Sequence, residues 1–231
     1  MDEGLEAALW SQAVWLGAAV LGGLMAGGPL RERLGLVPNR LRWAGVGLAI
    51  VGFLALSISG DAVLRLLELR DVGPLRRLDE LSGQQTGGNA LAAFAILGLL
   101  PALTEELLFR GFIQRILVAR LGAVVGIAGA AALFGLAHAD PVHSSAAFVL
   151  GLFLGTLTFV AGSVGPAMLC HGLNNLLSVT GSMGGWSPTS PSELAILGLV
   201  AGSGLALWGT SRLCYPAPTG ELQTDASDAE S

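Results

Sequence analysis

The stretch that decides the fold is Thr104–Arg110, TEELLFR, in which two glutamates and an arginine interrupt a long apolar run. Only 13% of the 231 residues are charged and 52% are hydrophobic. A single charge near the middle of a bilayer costs roughly 2.5 kcal/mol or more unless it is paired or used. The stretch therefore predicts a helix inside a membrane and a functional site at the same place.

The hydropathy of the rest of the chain agrees with this interpretation. The mean hydropathy is +0.67, and several apolar runs reach the ~17 to 25 residues that a membrane-spanning helix needs. We therefore predict an all-α fold, a polytopic bundle of about seven transmembrane helices. The expected location is the cytoplasmic membrane, with the lipid bilayer as the surrounding medium.

The charges and cysteines exclude other classes of protein. The formal net charge is −5, and the 12 basic residues, all arginine, are scattered along the chain, so no nucleic-acid partner is expected. The 2 cysteines, Cys170 and Cys214, do not form a disulfide framework or a metal-binding pattern.

The apolar runs and the polar stretches between them divide the chain into four parts. We predict two transmembrane helices with an amphipathic connector in residues 1–89, a helical core in residues 90–180, a loop and last transmembrane helix in residues 181–213, and a disordered polar tail in residues 214–231.

Local signals predict where the core helices begin and bend. Asn89 is expected to cap the helix that carries the charged stretch, and Pro101 is expected to kink it. Ser144 or Ser145 is expected to cap the fifth span, with His143 in the loop before it. Small residues along that span, Gly151 among them, favour close helix packing.

The charged stretch contains one pair that can neutralise itself. Glu106 and Arg110 are four residues apart with the acid first, which favours an ion pair on one helix face. Glu105 lies about 100° around the helix from Glu106. Glu105 is therefore the better candidate for a free base.

Other helices bring polar side chains to a similar depth. His138 ends the next helix, and His171 and Asn175 share one face of a later one, since they are four residues apart. Alternative interpretations stay open: His138 as an interfacial histidine packed by Phe134, and His171 with Asn175 as interhelical hydrogen-bonding residues.

Three motifs in series now carry a resemblance to a known family. They are Glu-Glu-x-x-x-Arg at 105–110, Phe-x-x-x-His at 134–138 and His-x-x-x-Asn at 171–175. They resemble the CPBP, or Abi, family of intramembrane glutamic endopeptidases, which includes the type II CAAX prenyl proteases and bacteriocin-processing members. The similarity covers about residues 90–179.

The resemblance implies an intramembrane protease whose substrate is a membrane-anchored protein or peptide. Glu105 would be the general base and would hold the attacking water with His138. The resemblance further implies that His171 and Asn175 form an oxyanion hole, while Glu106 and Arg110 orient and neutralise the site.

Two other mechanisms and one other class of protein remain as alternatives. No cofactor is expected, although a Glu, His, His set leaves zinc open as a metallopeptidase alternative. A thiol mechanism at Cys170 is disfavoured, because Cys170 and His171 point about 100° apart on a helix. The alternative class is a non-catalytic immunity, binding or transport protein.

Overall fold

The structure, a computed structural model, describes residues 3–70, 73–184 and 192–214. Over these ranges it is all-helical, with one isolated bridge between Leu41 and Cys214. The helices are α1 (Glu3–Met25), α2 (Leu30–Arg33), α3 (Trp43–Leu66), α4 (Gly73–Gly83), α5 (Gly87–Leu121), α6 (Ala123–Leu136), α7 (Pro141–Ala161), α8 (Gly165–Gly184) and α9 (Glu193–Arg212).

The helices α1, α3, α5 and α7 are long and apolar enough to cross a membrane. They make 4 candidate spans among the described residues, and α6 is an apolar but shorter helix. The chain is therefore a multi-pass membrane protein, while the predicted count of seven spans is not confirmed. Of the predicted polar tail, residues 215–231 lie outside the described residues.

The predicted caps of α5 and α7 were wrong. The helix α5 begins at Gly87, with Thr86 rather than Asn89 at its N-cap position. The helix α7 begins at Pro141, and the Asp140 carboxylate accepts a hydrogen bond from the backbone N–H of His143 at 2.8 Å. A capping Asp followed by Pro is favourable at a helix start. His143 is therefore in the first helical turn and not in a loop.

The central helix α5 continues without a break but contains two widened π-helical segments. They cover Phe94–Leu99 and Leu107–Ile113. The first ends just before Pro101, which has no N–H to donate, and a widened turn accommodates this loss within a continuous helix. The kink predicted at Pro101 stays a prediction, and the structure shows a change of helix type directly before this proline.

Several helices pack around α5 and supply the residues that contact it. The helix α1 contacts the middle of α5, including both π segments, while α8 packs on its first half and α6 on its second half; α7 touches the second π segment, and α9 packs chiefly on α3. One apolar cluster joins α1, α5, α6 and α7 and includes Phe109 and Phe134. A second cluster joins α3, α7 and α8 around Phe53 and Phe153. Both cysteines are free, as expected.

The connector before α4 is tied to the helix bundle by ion pairs. Arg70 contacts Asp61 Oδ1 and Asp79 Oδ2, each at 2.6 Å, and the Ser182 hydroxyl donates to Asp79 at 2.9 Å. Burial lowers the pKa of Arg70, but hydrogen bonds and charges from Asp79 and Asp61 outweigh burial and raise it overall. This network fixes α4 beside α8.

Candidate active site

The ion pair predicted from the sequence is present and entirely buried. Arg110 Nη1 donates to Glu106 Oε1 at 2.9 Å, and both side chains are 0% exposed. The guanidinium also lies 4.1 Å above the Phe134 ring and contacts the Gly151 carbonyl at 3.4 Å. Within the described residues, Glu106 Oε2 and Arg110 Nε have no hydrogen-bond partner. The two buried charges therefore compensate each other, but one polar atom of each side chain is left without a hydrogen bond.

The second π segment keeps three polar residues of α5 on one side. In a regular α-helix, Glu106 and Gln114 would drift apart by about 80° around the axis, because each residue advances about 100°. A π segment has more residues per turn, so it counters this drift. As a result Gln114 Nε2 also faces α7 and donates to the Gly155 carbonyl at 2.9 Å.

Two glycines of α7 make room for these side chains. A Cβ at Gly151 would lie 3.1 Å from Arg110 Nη2, and a Cβ at Gly155 would lie 2.6 Å from Gln114 Oε1. Both glycines also offer their carbonyls as acceptors. The small-residue pattern predicted close packing, and here it brings polar side chains against the backbone of α7.

The helix α8 brings His171 to the same carboxylate. His171 Nδ1 lies 2.9 Å from Glu106 Oε1, so a single oxygen of Glu106 binds both Arg110 and His171. Since a carboxylate oxygen only accepts, His171 Nδ1 carries a proton in this contact. Glu106 therefore fixes the orientation of the His171 ring.

His138 lies at the end of α6 with its ring held by neighbours. Its Nδ1 is 2.9 Å from the Phe134 carbonyl, and the two rings are 5.0 Å apart at 86°. The Phe134 ring also lies 6.2 Å from that of His171. Phe134 thus packs between the two candidate histidines and the Arg110 guanidinium. The sequence had suggested only its contact with His138.

Glu105 has an environment quite different from that of Glu106. It is only partly buried, and it accepts one hydrogen bond, from Gln12 Nε2 at 3.3 Å. Gln12 Oε1 in turn accepts a hydrogen bond from the Thr104 hydroxyl. In the described part of the chain, no hydrogen bond or ion pair joins Glu105 to His138.

Gln12 is a site residue that the sequence did not reveal. It is 6% exposed, lies on α1 and is 93 positions away from Glu105. The only sequence signal was an amide in a largely apolar span, and a single glutamine does not identify its partner. Gln114 was missed for the same reason.

Asn175 and Cys170 complete the set of candidates on α8. Asn175 is partly exposed one helical turn beyond His171. Cys170 is buried in the apolar cluster around Phe153, which gives it no access to a substrate.

The zinc alternative requires at least three donor side chains around one point. Among the described residues, no group of three or more His, Cys, Asp or Glu side chains has an arrangement that could hold a metal ion. His138 Nδ1 and His171 Nδ1 are each bound to an oxygen of the protein, which leaves Nε2 as the ring nitrogen of each that could face a ligand.

The fold and the site together define a class: a multi-pass helical membrane protein with a buried glutamate, arginine and histidine cluster beside a partly exposed glutamate. Residues 87–177 match the model of a protein family, described as type II CAAX prenyl endopeptidase Rce1-like. This segment is therefore similar to the CPBP, or CAAX protease, family of intramembrane endopeptidases. The matched segment contains all three motifs. No curated protein and no solved structure matched the chain.

Proposed function

We propose that this protein is a glutamate-dependent intramembrane endopeptidase that hydrolyses a peptide bond in a membrane-associated protein or peptide. The observation that carries the proposal is the unequal environment of two adjacent glutamates. Glu106 is buried and bound to Arg110 and His171, whereas Glu105 is partly exposed and, among the described residues, hydrogen-bonded only to the amide of Gln12. A carboxylate outside an ion pair is free to accept a proton from water.

In the proposed reaction, Glu105 is the general base. It takes a proton from a water molecule whose oxygen attacks the carbonyl carbon of the scissile bond. When the C–N bond breaks, the same proton passes to the leaving nitrogen. His138 holds the water from the opposite side through Nε2, because its Nδ1 is bound to the Phe134 carbonyl. A positioned general base typically contributes 10²- to 10⁴-fold.

His171 and Asn175 are proposed to stabilise the oxyanion. His171 already donates from Nδ1 to Glu106, so it can donate to an oxyanion only if Nε2 also carries a proton. Glu106 holds the His171 ring in place through this hydrogen bond. The loss of one such donor typically costs roughly 10²- to 10³-fold in rate.

The proposed substrates are C-terminal anchors, sorting signals or leader segments at the membrane. Such segments lie in or beside the bilayer that surrounds the site. The family match favours this protease over the immunity, binding or transport alternative. Cleavage of a quenched peptide with a prenylated C-terminal cysteine, compared with its unprenylated form, would assign the substrate class.

The test of the proposal is a comparison of protein termini in membranes of cells that express the wild type, Glu105→Gln or Glu80→Gln. Glu80 is an exposed glutamate on α4 that pairs with Arg76, so its variant is the matched control. We expect termini that depend on the wild type to persist with Glu80→Gln and to fall at least about 100-fold with Glu105→Gln, at equal membrane level. Unchanged termini with Glu105→Gln would refute the proposed base.

A further inference from the structure

The turn between α6 and α7 places a second histidine against His138. The rings of His138 and His143 are 4.2 Å apart at their centroids, tilted by 55°. His143 is not part of the Phe-x-x-x-His motif. Because α7 begins at Pro141, His143 lies in the first helical turn, where its side chain has a fixed direction.

Two features of the backbone fix this contact. Ala139 has a positive φ of 53°, in the left-handed region that a residue with a Cβ rarely adopts. This residue reverses the chain directly after His138. One residue later, the Asp140 carboxylate binds the backbone N–H of His143 and caps α7. Strained backbone of this kind persists where the surrounding structure holds it, often at functional sites.

The ring of His138 is consequently held on more than one side. Its Nδ1 is bound to the Phe134 carbonyl at 2.9 Å, and the Phe134 ring packs against it. The His143 ring supplies a further contact, from α7. With Nδ1 held by the carbonyl, a turn of the imidazole about its Cβ–Cγ bond would break this hydrogen bond and push the ring into His143.

We propose that His143 is a positioning residue that packs on the His138 ring and keeps its Nε2 open toward the reacting water. This inference rests on the proposed function in assigning the water to His138, but the ring contact does not. An alanine at 143 would lack the aromatic ring that fills this space. Removal of the ring frees His138 to rotate and to lose its hydrogen bond with Phe134.

The chain offers an unusually direct spectroscopic test, because it contains only 3 histidines. Full-length protein labelled with ¹⁵N-histidine and reconstituted in phosphatidylcholine bilayers gives three imidazole spin systems. Each can be assigned by single substitution. The ¹⁵N shifts report which ring nitrogen carries the proton, and the structure expects Nδ1 for His138.

Three variants separate ring packing from general disturbance. His143→Ala removes the ring, His143→Phe keeps an aromatic ring without nitrogen atoms, and Ser145→Ala changes an exposed residue of the same helical turn. We expect His143→Ala to mix the His138 tautomers and to reduce wild-type-dependent termini at least about tenfold, since a displacement of about 1 Å can cost 10²-fold. His143→Phe should restore both readouts to within about threefold, and Ser145→Ala should change neither.

Two results would overturn the positioning role: His143→Ala with wild-type tautomer and wild-type termini, or His143→Phe as impaired as His143→Ala. The second result would mean that a nitrogen of His143, rather than its ring packing, is required. Failure of the proposed function is distinguishable. In that case Glu105→Gln leaves the termini unchanged, whereas the tautomer of His138 still responds to His143→Ala.

Discussion

The sharpest prediction concerns the two adjacent glutamates, which should differ in what they do for stability. Glu106→Gln keeps the side-chain volume but removes the charge that faces Arg110, which is 0% exposed. An arginine left buried without its counterion is expected to cost about 3–5 kcal/mol. Glu105→Gln keeps an oxygen that can accept the 3.3 Å hydrogen bond from Gln12 at a partly exposed position, so at most about 1 kcal/mol is expected.

The measurement is the free energy of unfolding of purified protein in mixed detergent micelles, followed by circular dichroism. A third variant, Glu106→Gln with Arg110→Met, removes both charges and should be more stable than Glu106→Gln alone, because the unpaired guanidinium is gone. The reasoning fails if Glu106→Gln costs no more than Glu105→Gln. With Arg110→Met as the other single variant, the reasoning also fails if the double variant loses the sum of the losses of Glu106→Gln and Arg110→Met, since that would mean that the two charges do not interact.

Three further substitutions test contacts around the site. Gly151→Ala would force a Cβ to 3.1 Å from the buried guanidinium and should lower the free energy of unfolding by roughly 1–3 kcal/mol. Gly47→Ala is the control, because its Cβ would have no neighbour within 4 Å, and it should leave the free energy of unfolding unchanged. Equal effects of the two substitutions would contradict this prediction. Gln12→Leu removes the amide bound to Glu105, so processed termini should fall while membrane level stays near that of wild type; unchanged termini would exclude a positioning role for the amide. Arg70→Met removes two ion pairs of the connector and should speed amide hydrogen exchange in α4, measured by mass spectrometry; unchanged exchange would mean that the helix is held by other contacts.

Local spacing predicted those parts of the site that lie on one helix. Glu106 and Arg110 are four residues apart, so one turn of helix was enough to predict their ion pair. The structure contains this pair. The membrane helices were predicted for a similar reason, because an apolar run of sufficient length is visible in any window of sequence. The boundaries of α5 and α7 were less accurate, since several residues near each start could have served as a cap.

Contacts between distant segments were beyond the reach of the sequence. The binding of Gln12 to Glu105 joins residues 93 positions apart, and that of His171 to Glu106 joins residues 65 positions apart. Depth estimates placed the polar groups in one zone but did not decide which groups meet. His143 was assigned to a loop because the serines after it are also good caps, and its contact with His138 was lost with that choice.

The two glutamates show how one helix separates structure from chemistry. Adjacent residues point about 100° apart, so the same turn of α5 presents one carboxylate to α7 and α8 and the other to α1. On the first side, Glu106 binds Arg110 of the same helix and His171 of α8, and Arg110 in turn contacts the Gly151 carbonyl of α7. Toward α1 stands a neutral amide, which can orient a carboxylate without taking its charge. Because an amide leaves Glu105 able to accept a proton, the helix that lies outside the family-matched segment contributes to the chemistry proposed for it.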